Sequence, residues 1–78
     1  MEAIALKKLM EFEKLADEGA VFLIKFDGVR KLAGNPKMYT VVLSGGRLDA
    51  DDYFHVDGVN MVELLDSAMD FYIANRRD

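Results

Sequence analysis

Hydrophobic residues recur at helical spacing in the last third of the chain. At about 100° per residue, the apolar side chains fall in one sector of the helix, opposite a polar sector. The apolar sector contains Met61, Val62, Leu65, Ala68, Met69, Tyr72 and Ile73. Asn60 followed by Glu63 has the spacing of a capping box, which marks the first turn of a helix. The pattern therefore predicts an amphipathic helix from Asn60 to about Asn75.

A second helical pattern occupies the N-terminal segment. The residues on its apolar face are Ala5, Leu9, Phe12 and Ala16. Gly19 follows this pattern at the position where a left-handed residue commonly ends a helix. We therefore predict a helix from Glu2 to Glu18 that is capped by Gly19.

Three segments between the helices have the β-branched and aromatic content of strands. They are Ala20–Phe26, Lys37–Ser44 and Tyr53–Val56. The turn residues between the first two predict an antiparallel hairpin whose connection runs over residues 28–36. The order α-β-β-β-α predicts a two-layer α+β fold, in which two helices cover one face of a three-stranded antiparallel sheet. The opposite face would carry Val21, Leu23, Met38, Val42, Tyr53 and His55.

Length and composition place the chain among small intracellular domains. The 78 residues suffice for one domain around a single core, and the absence of Cys excludes disulfides and thiolate metal sites. The longest apolar run, Ala20–Ile24, is far shorter than the roughly 20 residues that cross a bilayer. We expect residues 1–78 to form one soluble cytoplasmic domain.

No residue pattern points to catalysis. His55 is the only histidine, and no nucleophile can be identified beside it. Gly45-Gly46 lacks the Lys-Ser/Thr of a phosphate-binding loop and is better explained as a turn. The acids from Asp49 to Asp57 begin like a calcium loop, but Asn60 stands where that loop requires Glu. We therefore predict a protein that is not an enzyme and binds no metal or cofactor.

The charges are segregated along the chain. Residues 25–47 contain five Lys/Arg and one Asp, a net charge of +4, whereas residues 48–75 contain seven acids and no Lys or Arg. On the second helix no acid has a Lys or Arg four residues later, so the helix offers no internal pair to neutralise it. The predicted partner-binding acids are Asp49, Asp51, Asp52, Glu63, Asp66 and Asp70. Such a surface favours a larger partner with a basic surface.

Two further apolar residues lie outside the apolar sector of the C-terminal helix. Leu64 and Phe71 project about 100° from its centre, on the side away from the acids. One interpretation is that they pack against the first helix. The other is that they are exposed anchors next to an acidic rim, a common layout of binding surfaces.

Three resemblances bear on function. The order α-β-β-β-α resembles double-stranded RNA-binding domains, although the second helix begins with acid instead of the basic residues that such domains use. The segments Tyr39–Val42 and Phe71-Tyr72 resemble the HicB-type antitoxin fold. In size, acidity and lack of Cys and catalytic motifs, the chain resembles small phage-encoded inhibitors of the anti-CRISPR type. That last resemblance implies that the protein occludes a nuclease or guide complex, with its acids contacting Lys and Arg of that complex.

Two alternatives remain open from the sequence. An antitoxin-like or nucleic-acid-contacting module would use Arg30, Lys31 and Lys37 in the basic hairpin connection. A homo-oligomeric structural protein would join the basic hairpin of one copy to the acidic helix of another, or would pair through the apolar face opposite the helices. The residues of that pairing would be Val21, Leu23, Val42 and Tyr53.

Overall fold

The protein was analysed as a computed structural model that describes residues 3–77. Six elements follow one another along the chain. They are α1 (Ala3–Ala16), β1 (Ala20–Phe26), α2 (Gly28–Leu32), β2 (Tyr39–Gly45), β3 (Tyr53–Gly58) and α3 (Met61–Asn75). The strands form one antiparallel sheet in the order β1-β2-β3, which confirms the predicted α+β fold. The proposed start of the first helix at Glu2 lies outside the described residues.

The helix boundaries follow from local chemistry. Asn60 caps α3 by accepting a hydrogen bond from the backbone N–H of Glu63 at 3.1 Å. Gly19 has φ +91°, a left-handed conformation, and its N–H donates to the carbonyl of Ala16 at 2.9 Å. The predicted start of α3 is therefore confirmed, whereas α1 ends at Ala16, two residues before the predicted Glu18, and a turn over residues 17–19 leads to Gly19.

The connection between β1 and β2 was predicted without regular structure, and this was incomplete. It contains α2, a five-residue helix that Asp27 caps by accepting from the N–H of Arg30. A helix this short has no room for a hydrophobic period, and none of its residues is buried. The turn residues at its two ends, Asp27-Gly28 and Gly34-Asn35-Pro36, therefore predict a loop for the whole segment.

The register of the sheet sorts the side chains into two faces. Phe22, Leu43 and Phe54 lie opposite one another on the face that the helices cover. Val41 and Leu43 of the central strand are fully buried there. The helices α1 and α3 contact each other on this face, and α1 contacts β1 but not β2. The helix α1 therefore covers the β1 side of the sheet, and α3 covers β2 and β3.

The buried face of α3 is rotated from the predicted sector. Leu65, Ala68 and Tyr72 are buried as expected, but Ile73 is 52% exposed and Leu64 is buried. The ring of Phe12 in α1 stacks on Phe22 with the ring centroids 4.3 Å apart, which fixes α1 on the sheet. Among the helices of residues 3–77, none has the length and apolar character needed to cross a bilayer.

Candidate functional site

The predicted acidic surface of α3 contains an internal ion pair. Glu63, Asp66 and Asp70 are all exposed on the helix, as the spacing predicted. The carboxylate of Asp66, however, accepts from the ammonium group of Lys8 in α1. The expectation of three uncompensated acids is therefore wrong, because helix packing brings in a lysine that is remote in sequence. Within residues 3–77, Glu63 and Asp70 have no ion-pair partner.

One acid of the β2–β3 loop, Asp49, lies beside an arginine. Asp49 pairs with the guanidinium of Arg77 at 2.8 Å, and Asp51 and Asp52 follow in the same loop. The backbone N–H of Arg77 donates to the carbonyl of Arg47 at 2.8 Å, while Arg47 Nε donates to the carbonyl of Arg77 at 2.7 Å. These bonds hold the C-terminal residues against the loop, so the charge of Asp49 is largely offset.

The two predicted anchors, Leu64 and Phe71, face β3. Leu64 is only 6% exposed and packs so closely that a Cβ added to Gly58 would lie 3.0 Å from its side chain. The half-buried ring of Phe71 lies 5.8 Å from that of Phe54, between centroids. Leu64 is thus part of the core and is not an exposed anchor, and both residues pack on the sheet.

The basic residues of the β1–β2 connection divide into two groups. Arg30 forms ion pairs at 3.3 Å with both Asp27 and Asp57, and it also donates to the carbonyl of Lys37. Lys31 and Lys37 are exposed and have no ion pair among the described residues. Arg30 is therefore engaged within the protein, which removes one of the three residues of the nucleic-acid alternative.

The carboxylates around Arg30 are held in their charged form. The backbone N–H of Arg30, followed by the side chain of Lys25, lowers the pKa of Asp27 from its ordinary value. A hydrogen bond from the Thr40 hydroxyl, followed by one from Arg30, lowers the pKa of Asp57 in the same way. This Arg30 cluster attaches α2 to the end of the sheet.

The sheet face opposite α1 and α3 is an apolar surface that the fold leaves uncovered. We call it the open face, and it consists of Val21, Leu23, Val42, Tyr53 and His55. Val21, Leu23 and Tyr53 are 53%, 59% and 63% exposed, respectively. Leu23 lies opposite Val42, which lies opposite His55, so the residues are contiguous across all three strands. Asp51 and Asp52 immediately precede Tyr53 and border this face.

A second uncovered region lies between α1 and β1. An open cleft of about 430 Å³ is lined chiefly by Leu9, Phe12, Glu13, Ala16, Ala20 and Phe22. We call it the β1 groove, and its existence was not predicted. Its sequence signal is the pair Ala16 and Ala20 on either side of the Gly19 turn, because small side chains leave space where helix and strand converge.

Neither surface contains a recognisable chemical centre. Within residues 3–77, no group of three or more His, Asp or Glu side chains has an arrangement that would hold a metal ion. His55 is exposed on the open face. The chain matches no protein-family model, no curated protein and no solved structure, so no function is transferred to it from a relative.

Proposed function

We propose that this protein is a non-catalytic binding module that docks on a larger protein through the open face. The observation that supports this is the exposure of Val21, Leu23 and Tyr53, each more than half accessible on the two outer strands of one sheet face. Soluble domains rarely leave large apolar side chains together in water unless they form a contact site. Tyr53 is a suitable anchor, because tyrosine is enriched at the centres of interfaces.

The border of the open face defines the chemistry of the partner. Asp51 and Asp52 stand next to Tyr53, so a complementary surface would place Lys or Arg around an apolar centre. A nuclease or another nucleic-acid-handling complex presents such basic surfaces. An accessory or inhibitory protein of the anti-CRISPR kind is therefore the specific form of the proposal.

A paired capture experiment tests the role of the open face. Immobilised wild-type protein, Tyr53→Lys and Ile73→Lys are exposed to extracts of the source organism, and bound proteins are quantified. Ile73 is the matched control, since it is 52% exposed but lies on α3, away from the open face. We expect a partner that binds wild type and Ile73→Lys equally and Tyr53→Lys about tenfold less. Equal recovery of the same proteins with Tyr53→Lys would reject the proposal.

A second candidate surface is supported by Glu63 and Asp70, which are exposed on α3 and unpaired within the described chain. They would contact a basic partner even though Asp66 is engaged by Lys8. The double charge reversal Glu63→Lys/Asp70→Lys in the same capture experiment distinguishes the two surfaces. Loss of the partner with this variant, and not with Tyr53→Lys, would assign binding to α3.

A further inference from the structure

The outer edge of β1 has no covering strand. In the order β1-β2-β3, one side of β1 pairs with β2, and within residues 3–77 no element pairs with the other side. Natural edge strands are commonly protected by charged side chains, prolines or bulges. The strand β1 is Ala20–Phe26 and contains a single charge, at Lys25. Its free backbone groups are therefore open to another extended chain.

The β1 groove runs beside this edge on the helix-covered side. Phe12 and Phe22 form its apolar floor, and Ala16 and Ala20 leave it open at the N-terminal end of the strand. A strand added to β1 would direct alternate side chains into the groove, because successive side chains point to opposite faces. A groove between a helix and a free strand edge can thus bind both the backbone and the side chains of an extended peptide.

The charges around the groove define one end of that peptide. Glu13 lines the groove, and Asp17 is exposed just beyond the end of α1. The C-terminal end of a helix adds partial negative charge of its own. At the other end of β1, Lys25 pairs with Asp27 at 3.3 Å, so its charge is offset there. A positively charged residue of the ligand is therefore favoured next to Ala20.

We propose that β1 and α1 form a binding site for an extended peptide segment that adds as a fourth strand. The peptide runs antiparallel to β1, the more favourable pairing, so its C-terminal end lies beside Ala20. It alternates apolar residues, which enter the groove, with polar ones, and it carries Lys or Arg at its C-terminal end. This site is on the edge and helix side of the sheet; it shares Val21 with the open face but does not involve Tyr53.

Labelled peptides test the site directly. The probe is a nine-residue peptide in which valine alternates with threonine and two lysines end the chain, and comparison peptides carry the lysines first or replace them with glutamates. Fluorescence anisotropy should show that the first peptide binds saturably with a dissociation constant below about 1 mM. The other two peptides should bind more weakly. In NMR spectra of the ¹⁵N-labelled protein, the amide resonances of Ala20–Phe26 should shift when the peptide is added, whereas the amide resonances of β3 should not.

Two variants and their controls separate groove binding from unspecific effects. Ala16→Phe fills the groove and should weaken binding about tenfold, while Ala74→Phe, on an exposed alanine of α3, should leave it unchanged. Glu13→Lys should remove the preference for C-terminal lysines, and Glu63→Lys should not. Absence of saturable binding by every peptide, or shifts confined to β3, would overturn the proposal. Because Tyr53→Lys leaves the groove intact, failure of the proposed function would not affect this result.

Discussion

Tyr72 is the residue through which three parts of the molecule meet. Its ring is completely buried in α3, and its hydroxyl accepts from the N–H of Arg47 at 3.0 Å and donates to Glu18 at 3.3 Å. Arg47 lies in the β2–β3 loop, and Glu18 lies in the turn that follows α1. A buried hydroxyl without partners is costly, so these two bonds fix where both segments approach α3.

Removal of this hydroxyl should destabilise the fold more than its size suggests. Tyr72→Phe leaves the N–H of Arg47 without that acceptor in a part-buried position, and we expect a loss of about 1 to 3 kcal/mol in the free energy of unfolding. Urea denaturation of the two proteins measures this difference in the free energy of unfolding. Tyr53→Phe removes a hydroxyl from a side chain that is 63% exposed and should change stability by less than about 0.5 kcal/mol. Equal losses in the two variants would contradict this account.

Gly46 is constrained by both its conformation and its neighbours. It has φ +59°, and an added Cβ would lie 2.7 Å from the Tyr72 hydroxyl and 3.1 Å from Ala20. We expect Gly46→Ala to cost about 2 to 4 kcal/mol, because left-handed strain and overpacking add. Gly34→Ala is the control, since Gly34 has φ +84° but open space around it, and it should cost about 1 to 2 kcal/mol. Similar midpoints of thermal unfolding for both variants would show that crowding contributes nothing.

At the scale of elements, the short helix α2 shows how a few charges fix a segment that has no core. Its apolar side chains Val29 and Leu32 are 80% and 91% exposed, so burial does not hold it. Arg30 instead connects its cap, Asp27, to Asp57 on β3. Because carboxylates provide this attachment, it depends on pH.

The sign of that dependence follows from the lowered pKa values. The pKa values of Asp27 and Asp57 both lie below the ordinary value of 3.8. The contribution of these carboxylates to the free energy of unfolding is therefore complete above pH 3.8, and it is lost as the pH falls through their folded-state pKa values. Thr40→Val removes the hydroxyl that donates to Asp57. We therefore expect the difference in urea midpoint between wild type and Thr40→Val to be largest near pH 7 and to shrink towards pH 3. Ser44→Ala, also on β2 but without a carboxylate partner, should show a constant difference.

The elements themselves were largely predictable, and their mutual orientation was not. The caps Asn60 and Gly19 and the strand β1 follow from local chemistry, which the sequence carries directly. Apolar residues cover so much of α3 that their spacing predicts a helix but does not determine which side of it is buried. In the structure the side that contacts β3 is buried, so Leu64 is in the core and Ile73 is exposed.

The candidate sites were less predictable because they depend on contacts between distant residues. Lys8 and Asp66 are 58 positions apart, and no spacing rule anticipates their pairing. The apolar character of the open face was visible from strand alternation at Val21, Leu23 and Tyr53, since that period is local. The β1 groove requires knowledge of where α1 lies over the sheet, which tertiary packing alone decides.

At the scale of the whole molecule, the buried core is centred on β2 and on the helix α3 that packs over it. Strand β2 is paired on both sides, and its residues Val41 and Leu43 are fully buried between sheet and helices. Of the other buried side chains, the largest group belongs to α3, which packs on β2, whereas α2 has none. A small domain with one core of this kind should open from its periphery inwards.

Amide hydrogen exchange should reproduce this gradient. The amides of Val41 and Leu43 should exchange only through global unfolding, so their protection should equal the stability measured by denaturation. Those of α2 should exchange fastest, because only the Arg30 cluster holds that helix and no apolar core resists its opening. The measurement is made at two protein concentrations to separate folding from association. Protection of α2 equal to that of β2 at the lower concentration would mean that the charged attachment is as strong as the core, contrary to the weak contribution of exposed ion pairs.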